Sequence, residues 1–289
     1  MGRLIVNADD FGLTPGVNRA IIELHAAGLV TSTSLMARAD ATDEAIELAR
    51  ASPSLGVGCH IVLVDGEPVL PPKQIPSLVD ARTGKFLQTL AAFLARLFTG
   101  RIRAEEIEAE AAAQIAHLQG RGVRLTHIDT HKHVHIFSAV LRPVLRAARA
   151  AGIRAVRHPF EPEWALRAAI GASLARVVQV AALGPLAPRS QRILTQEGFA
   201  STDGTIAMAG TGSLDAATLR SLLGQLPAGT WELVTHPGYN DADLEHVRTR
   251  LRASRDRERV ALAAIREIPG IELISFAALA PKAAQAADD

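Results

Sequence analysis

Leu4-Ile5-Val6-Asn7-Ala8-Asp9-Asp10-Phe11-Gly12 sets the reading of the whole chain. Leu4-Ile5-Val6 is a short unbroken apolar run, the mark of a strand buried on both faces. Thr14-Pro15-Gly16-Val17-Asn18 then reads as a helix entry, with Thr14 as cap and Pro15 in the first helical position. Val17, Ala20, Ile21 and Leu24 share one helical face, and the helix stops near Gly28. Residues 31–36 make the next strand, residues 41–51 a helix with Ala45, Leu48 and Ala49 inward, and residues 57–63 a third strand. This β-α-β-α-β order predicts parallel strands joined by helical crossovers.

Further along, four prolines at 68, 71, 72 and 76 with Gly66 and Gly84 describe a long ordered excursion, a candidate cleft rim just after His60. Residues 105–119 predict a helix with Ile107, Ala111, Ile115 and Leu118 as its seam and acids in its first turn. Strands are expected at 123–128, 154–157, 231–236 and 271–276, and helices from Pro143 and over 244–268. Asp9, Asp10, His60, His131 and His236 all fall at carboxyl ends of these strands, the catalytic face of a (β/α) barrel. Their spread favours an α/β fold with one TIM-like barrel domain over residues 1–280 and a frayed tail at 281–289.

Composition narrows the class. With 289 residues, 48% hydrophobic and 21% charged, the chain is globular. A net charge of +1 with dispersed basic residues gives no footprint for nucleic acid. The single cysteine, Cys59, excludes an internal disulfide and fits a reducing, cytoplasmic setting, and the first residues leave no room for a cleavable leader. The most apolar stretch, 164–187, is interrupted by Arg167 and Arg176. It therefore reads as a cap or homodimer contact, not a transmembrane segment.

The chemistry lies in acids and imidazoles. A carboxylate and histidines from separate strand ends are the donors of a divalent metal site. Adjacent Asp9 and Asp10 repel unless a cation compensates them, and one can ligate while the other acts as base; alternatively Asp10 is a helix cap. Alternation puts Gly58 and His60 on one face of their strand and Cys59 on the other, in the core. His127, Asp129, His131, His133 and His135 share parity, but an extended chain spreads them too far for one ion. A helical pairing of His131 with His135 lacks the glutamate of zinc proteases, since Lys132 stands there. Asp129, His135, Arg157 and Glu161 are candidates for substrate contact, although Arg157 and Glu161 read equally as a surface ion pair, and His236 as a turn residue.

Asn7 to Gly12, Val30 to Met36, Gly58-Cys59-His60, Glu110 to Gln114, Thr126 to His135, Arg157 to Glu161 and Glu232 to Tyr239 closely resemble the YdjC-like carbohydrate deacetylases. That family includes chitooligosaccharide deacetylases and deacetylases associated with hopanoid biosynthesis; the 62–72 segment is closer to the latter. The resemblance implies a distorted (β/α) barrel, Asp10, His60 and His131 as metal ligands, and Asp9 as general base. It also implies that His236 protonates the leaving amine or orients substrate. The reaction expected is removal of the acetyl group from an N-acetylated amino sugar, giving acetate and amine. Two imidazoles and a carboxylate suit zinc, and the same set holds magnesium, manganese or iron. The rivals are a two-His-one-carboxylate oxygenase and a non-catalytic metal-containing sugar-binding protein.

Overall fold

The computed structural model describes residues 1–265 and 270–279. Among these residues seven strands, β1 (Gly2–Phe11), β2 (Ser32–Leu35), β3 (Gly56–Ile61), β4 (Leu125–Thr130), β5 (Gly204–Ile206), β6 (Gly229–Thr235) and β7 (Ile271–Leu273), form one curled sheet. Its order is β4-β3-β2-β1-β6-β5, with β7 beside β1, and every pairing is parallel. On one edge of β1, β7 pairs with Gly2–Leu4 and β2 takes over from Asn7 onward. Beyond β4, Ile128 bridges to Val156 and Ala155 to Ala200. The connections between parallel strands carry helices, as the sequence order requires.

Alternation along the strands sorts chemistry from packing. Leu4, Val6 and Ala8 of β1, Val57, Cys59 and Ile61 of β3, and Ile128 of β4 enter the main apolar core. The intervening positions, Asn7 and Asp9, Gly58 and His60, His127 and Asp129, face the other way and meet one another there. Cys59 is the core residue expected of it, and burial pushes its thiol up. Gly58 has a steric reason: a Cβ there would lie 2.4 Å from the His127 ring.

Local signals worked where they were dense. Thr14 Oγ1 caps the helix Pro15–Ala26 by accepting the Val17 N–H, and Val17, Ala20, Ile21 and Leu24 are buried. The helix Ala104–Gly120 buries Ile107, Ala111, Ile115 and Leu118. It also fastens the proline-rich excursion: Glu110 accepts the Val69 and Leu70 amides, Glu106 the Ser77 amide, and Gln114 bonds both ways with Val62.

Some expectations change. Residues 154–157 form no strand, only single bridges at Ala155 and Val156. The 244–268 helix is two helices, Ala242–Glu245 and Arg252–Ala263; residues 266–269, like the tail at 281–289, lie outside the described residues. The 164–187 stretch is broken into Glu163–Ala168 and Leu174–Ala181, leaving Ile170, Leu174 and Val178 exposed. No helix among the described residues is long and apolar enough to cross a membrane.

Candidate metal centre

An extended strand would send Asp9 and Asp10 to opposite faces. The backbone at Asp10 avoids this by adopting φ 65°, at a register shift in the β1–β2 ladder between Ala8 and Phe11. Aspartate tolerates this left-handed conformation better than most side chains, though at a cost of about 1–3 kcal/mol. The result is that both carboxylates serve one site. Asp10 is therefore not a helix cap; Thr14 has that role.

Asp10 Oδ1 lies 3.4 Å from His60 Nε2 and 3.4 Å from His131 Nδ1, and the two nitrogens are 3.3 Å apart. Three donors at about 2.0–2.1 Å from a common ion, at tetrahedral angles, stand about 3.4 Å from one another. The three atoms thus fit a zinc-sized divalent cation. Asp10 and His60 are buried and His131 is half-buried, so the site opens on the His131 side.

The charges around it call for a cation. Asp9, Asp10 and Asp129 outnumber Arg157 and Arg255 even before Glu232 is counted. Burial alone would depress His60; the Asp129, Asp10 and Asp9 carboxylates raise it instead, to about 10. Burial works to raise the Asp10 carboxyl, yet Arg255, with His131 and His60, holds it well below the usual range. The four buried side chains Asp9, Asp10, Asp129 and His60 therefore favour positive charge between them.

Asp129 Oδ1 accepts from His60 Nδ1 at 2.9 Å, which fixes the tautomer and turns Nε2 toward Asp10 and His131. Its other oxygen forms an ion pair with Arg157 at 2.5 Å. A second trio, Asp9, His60 and Asp129, is also close enough for an ion. There the guanidinium of Arg157 already sits against both carboxylates, so that place is filled by protein.

Arg157 is fully buried, with 0% exposure, and meets three carboxylates. Its Nη1 and Nη2 donate to Asp9 at 2.8 and 2.6 Å and its Nε to Glu232 at 2.8 Å. The surface pairing with Glu161 is corrected by this: Glu161 instead accepts the Ala207 and Ala209 amides at 2.8 and 2.6 Å. Burial raises Glu161 to about 7, and raises Glu232 likewise to about 7 against the pull of Arg157. Burial, the largest influence, acts to raise Asp9, as does Asp129, but Arg157 and His60 together hold the carboxyl below its ordinary value.

The histidine run is not extended past β4. Lys132 and His133 both take left-handed backbone, at φ 57° and 53°, inside the 3-10 turn His131–Ile136. That turn leaves His131 at the triad and sends His135 away, to Thr130 Oγ1 at 2.7 Å and the Arg157 carbonyl at 3.2 Å. His127 stacks on Phe276 with ring centroids 3.9 Å apart. Asp129 and His135, expected near substrate, are thus buried among protein partners. Lys132 reaches the proline-rich excursion through Asp65, at 2.6 Å, so that excursion does border the site.

His236 directly follows β6, with its Nε2 3.8 Å from Asp9 Oδ2. Two residues behind it escaped the sequence reading: Arg255 and Glu258, one turn apart on the helix Arg252–Ala263. Arg255 Nη2 donates to Asp10 Oδ2 at 2.5 Å, and Glu258 accepts the His236 amide at 2.6 Å. Their signal was present: both fall on the helix face that buries Ala261 and Leu262, where an unpaired charge is costly. Gly238 lets this helix approach, since a Cβ there would lie 3.2 Å from Arg255 Cδ and 3.0 Å from Val17.

Comparison with known proteins identifies the family. The chain is 42% identical to a carbohydrate deacetylase of Brevibacillus brevis over 55% of its own length and 60% of that relative's. It is 30% identical to a carbohydrate deacetylase of Thermoanaerobacter pseudethanolicus over 91% of each chain. Among solved structures, a putative cellobiose-phosphate cleavage protein of Enterococcus faecalis superposes with a TM-score of 0.74 at 28% identity, covering 97% of this chain and 99% of that one. The family model described as YdjC-like protein matches residues 3–266, and the chain belongs to that family.

Proposed function

We propose that the chain is a metal-dependent hydrolase that removes the acetyl group from an N-acetylated amino sugar, built on a single distorted (β/α) barrel domain. The observation that carries this reading is the 3.3–3.4 Å spacing of Asp10 Oδ1, His60 Nε2 and His131 Nδ1 beside Asp9 and His236, whose Oδ2 and Nε2 lie 3.8 Å apart. The names of the relatives support a sugar as substrate.

Asp10, His60 and His131 would hold the ion, with zinc, magnesium or manganese as candidates. Bound there, a divalent ion supplies Lewis acidity toward an acetamide oxygen and makes water a better nucleophile. Asp9, kept ionised by Arg157, takes a proton from the attacking water. His236 Nε2 delivers a proton to the departing nitrogen or orients the sugar. The C–N bond breaks, the water oxygen joins the acetyl carbon, and acetate and a free amine leave. Asp129 holds His60 in the tautomer that presents Nε2. In this reading Asp129, His135 and Arg157 support the reacting groups from behind, and Glu161 shapes the 207–209 loop.

The two-His-one-carboxylate set also serves iron oxygenases. Asp9, an acid adjacent to a ligand and paired with a histidine, weighs for hydrolysis. The test is acetate release from diacetylchitobiose, longer chitooligosaccharides, N-acetylglucosamine and an N-acetylglucosaminyl lipid, using protein stripped of metal and reloaded. Metal-dependent acetate from any of these supports the proposal. Oxygen uptake with a ketoacid and no acetate would replace it with the oxygenase.

A further inference from the structure

Arg255 is an unusual way to bury a guanidinium. It is 1% exposed, yet among the described residues only its Nη2 finds a hydrogen-bond acceptor; Nε and Nη1 find none there. Arg157, by contrast, divides its donors among three carboxylates. A guanidinium placed to stabilise the fold would be satisfied all round, because a buried donor without an acceptor loses its hydration and gains nothing in return. The one hydrogen bond its guanidinium makes among the described residues is to Asp10, at a specific oxygen.

That oxygen is the informative part. Asp10 Oδ2 is 2.5 Å from Arg255 Nη2, while Oδ1 is the atom equidistant, at 3.4 Å, from His60 Nε2 and His131 Nδ1. The carboxylate is therefore divided between a cation behind it and the open site in front. The left-handed backbone at Asp10 fixes the side chain from one end, and Arg255 fixes it from the other. The helix carrying Arg255 is itself tied to the β6 turn: the Gly238 N–H donates to the Arg255 carbonyl at 3.2 Å, and Glu258 accepts the His236 amide.

Resting on the metal-dependent reading above, we propose that Arg255 is a positioning residue that reserves Asp10 as a one-oxygen ligand. By occupying Oδ2 it stops the carboxylate from chelating the ion through both oxygens. A position toward substrate that a second Asp10 oxygen would take is thereby left open for the acetamide. Arg255 touches neither substrate nor ion; it acts through Asp10.

Cobalt(II) is the probe, because its visible absorption weakens as donors are added to its coordination shell. The proteins are wild type, Arg255→Gln and Arg255→Lys, each loaded with cobalt and checked for fold by circular dichroism and for one ion per chain. In Arg255→Gln, Asp10 Oδ2 is released, so absorbance per bound cobalt falls about threefold or more. kcat/KM on the active N-acetylated sugar falls about 10- to 100-fold with cobalt still bound. Arg255→Lys, whose ammonium can still hold Oδ2, recovers most of the wild-type spectrum. A folded Arg255→Gln protein with the wild-type spectrum overturns the proposal. So does loss of fold or of cobalt in both variants alike, which makes Arg255 a structural residue. Wild-type protein that binds no cobalt contradicts the metal-dependent reading itself, an outcome separate from both.

Discussion

Asp129 Oδ1 stands 2.9 Å from His60 Nδ1, and this contact decides which face of the imidazole meets the open site. Asp129→Asn keeps the volume but can donate as well as accept, so the tautomer is no longer enforced. We expect metal affinity to fall about 10- to 100-fold, read by competition with a chromophoric chelator. An unchanged affinity would remove Asp129 from the account of the site.

The Arg157 cluster makes a stability prediction. Arg157→Met leaves Asp9, Asp129 and Glu232 buried without their shared cation, and breaking a buried pair from one side costs about 3–5 kcal/mol. Urea unfolding measures this directly. A loss under about 1 kcal/mol would mean that water, not Arg157, compensates these acids.

Asp10→Asn isolates ligation from folding. Asparagine tolerates the same left-handed backbone, and its carbonyl oxygen can still accept from Arg255, so the fold is retained while the anionic donor is lost. The variant should remain folded by circular dichroism and bind no stoichiometric zinc. Full zinc occupancy in this variant would move the centre elsewhere.

Acid stability follows from histidines buried neutral. Burial holds His127 down to about 3 and His135 to about 4, and lowers His133 as well. In the unfolded chain these groups take up protons near pH 6.5, which the folded chain refuses until lower pH. Stability is therefore lost as pH falls through that window, by about 1.4 kcal/mol per pH unit for each histidine. His60, raised to about 10, acts in the opposite sense near pH 6.5 and adds no slope once the unfolded chain is fully protonated below it. Glu161 and Glu232, raised to about 7, act in the opposite sense, so the diagnostic is a difference between proteins. Metal-free His127→Phe, compared with wild type, should lose about 2 kcal/mol less between pH 6.5 and 5. Parallel pH profiles would show that His127 is already charged.

What the sequence made legible was whatever depends on period and order. Leu4-Ile5-Val6, the Thr14-Pro15 helix entry and the alternating His60 and Cys59 were readable because neighbouring residues decide them. The β-α-β-α-β order gave the parallel sheet that the structure contains. The features that escaped depend on partners distant in sequence. Arg157 lies 148 residues from Asp9, and nothing adjacent to it announces three buried carboxylates. Arg255 lies 245 residues from Asp10, in a helix whose many charges hid the two that turn inward. The left-handed Asp10 and the Lys132–His133 kink also went unread, because none of the three residues is a glycine and all run against local preference. Conflicts between local and global structure concentrate where a site is being shaped.

The measurement that tests the central claim most directly pairs metal content with acetate release in wild type and Asp9→Asn. The account predicts one divalent ion per chain in both proteins. It also predicts acetate from an N-acetylated sugar at a rate at least about 100-fold lower in the variant. Removing the metal should abolish the wild-type rate, and adding it back should restore it. Acetate release that survives Asp9→Asn or complete metal removal would contradict the account.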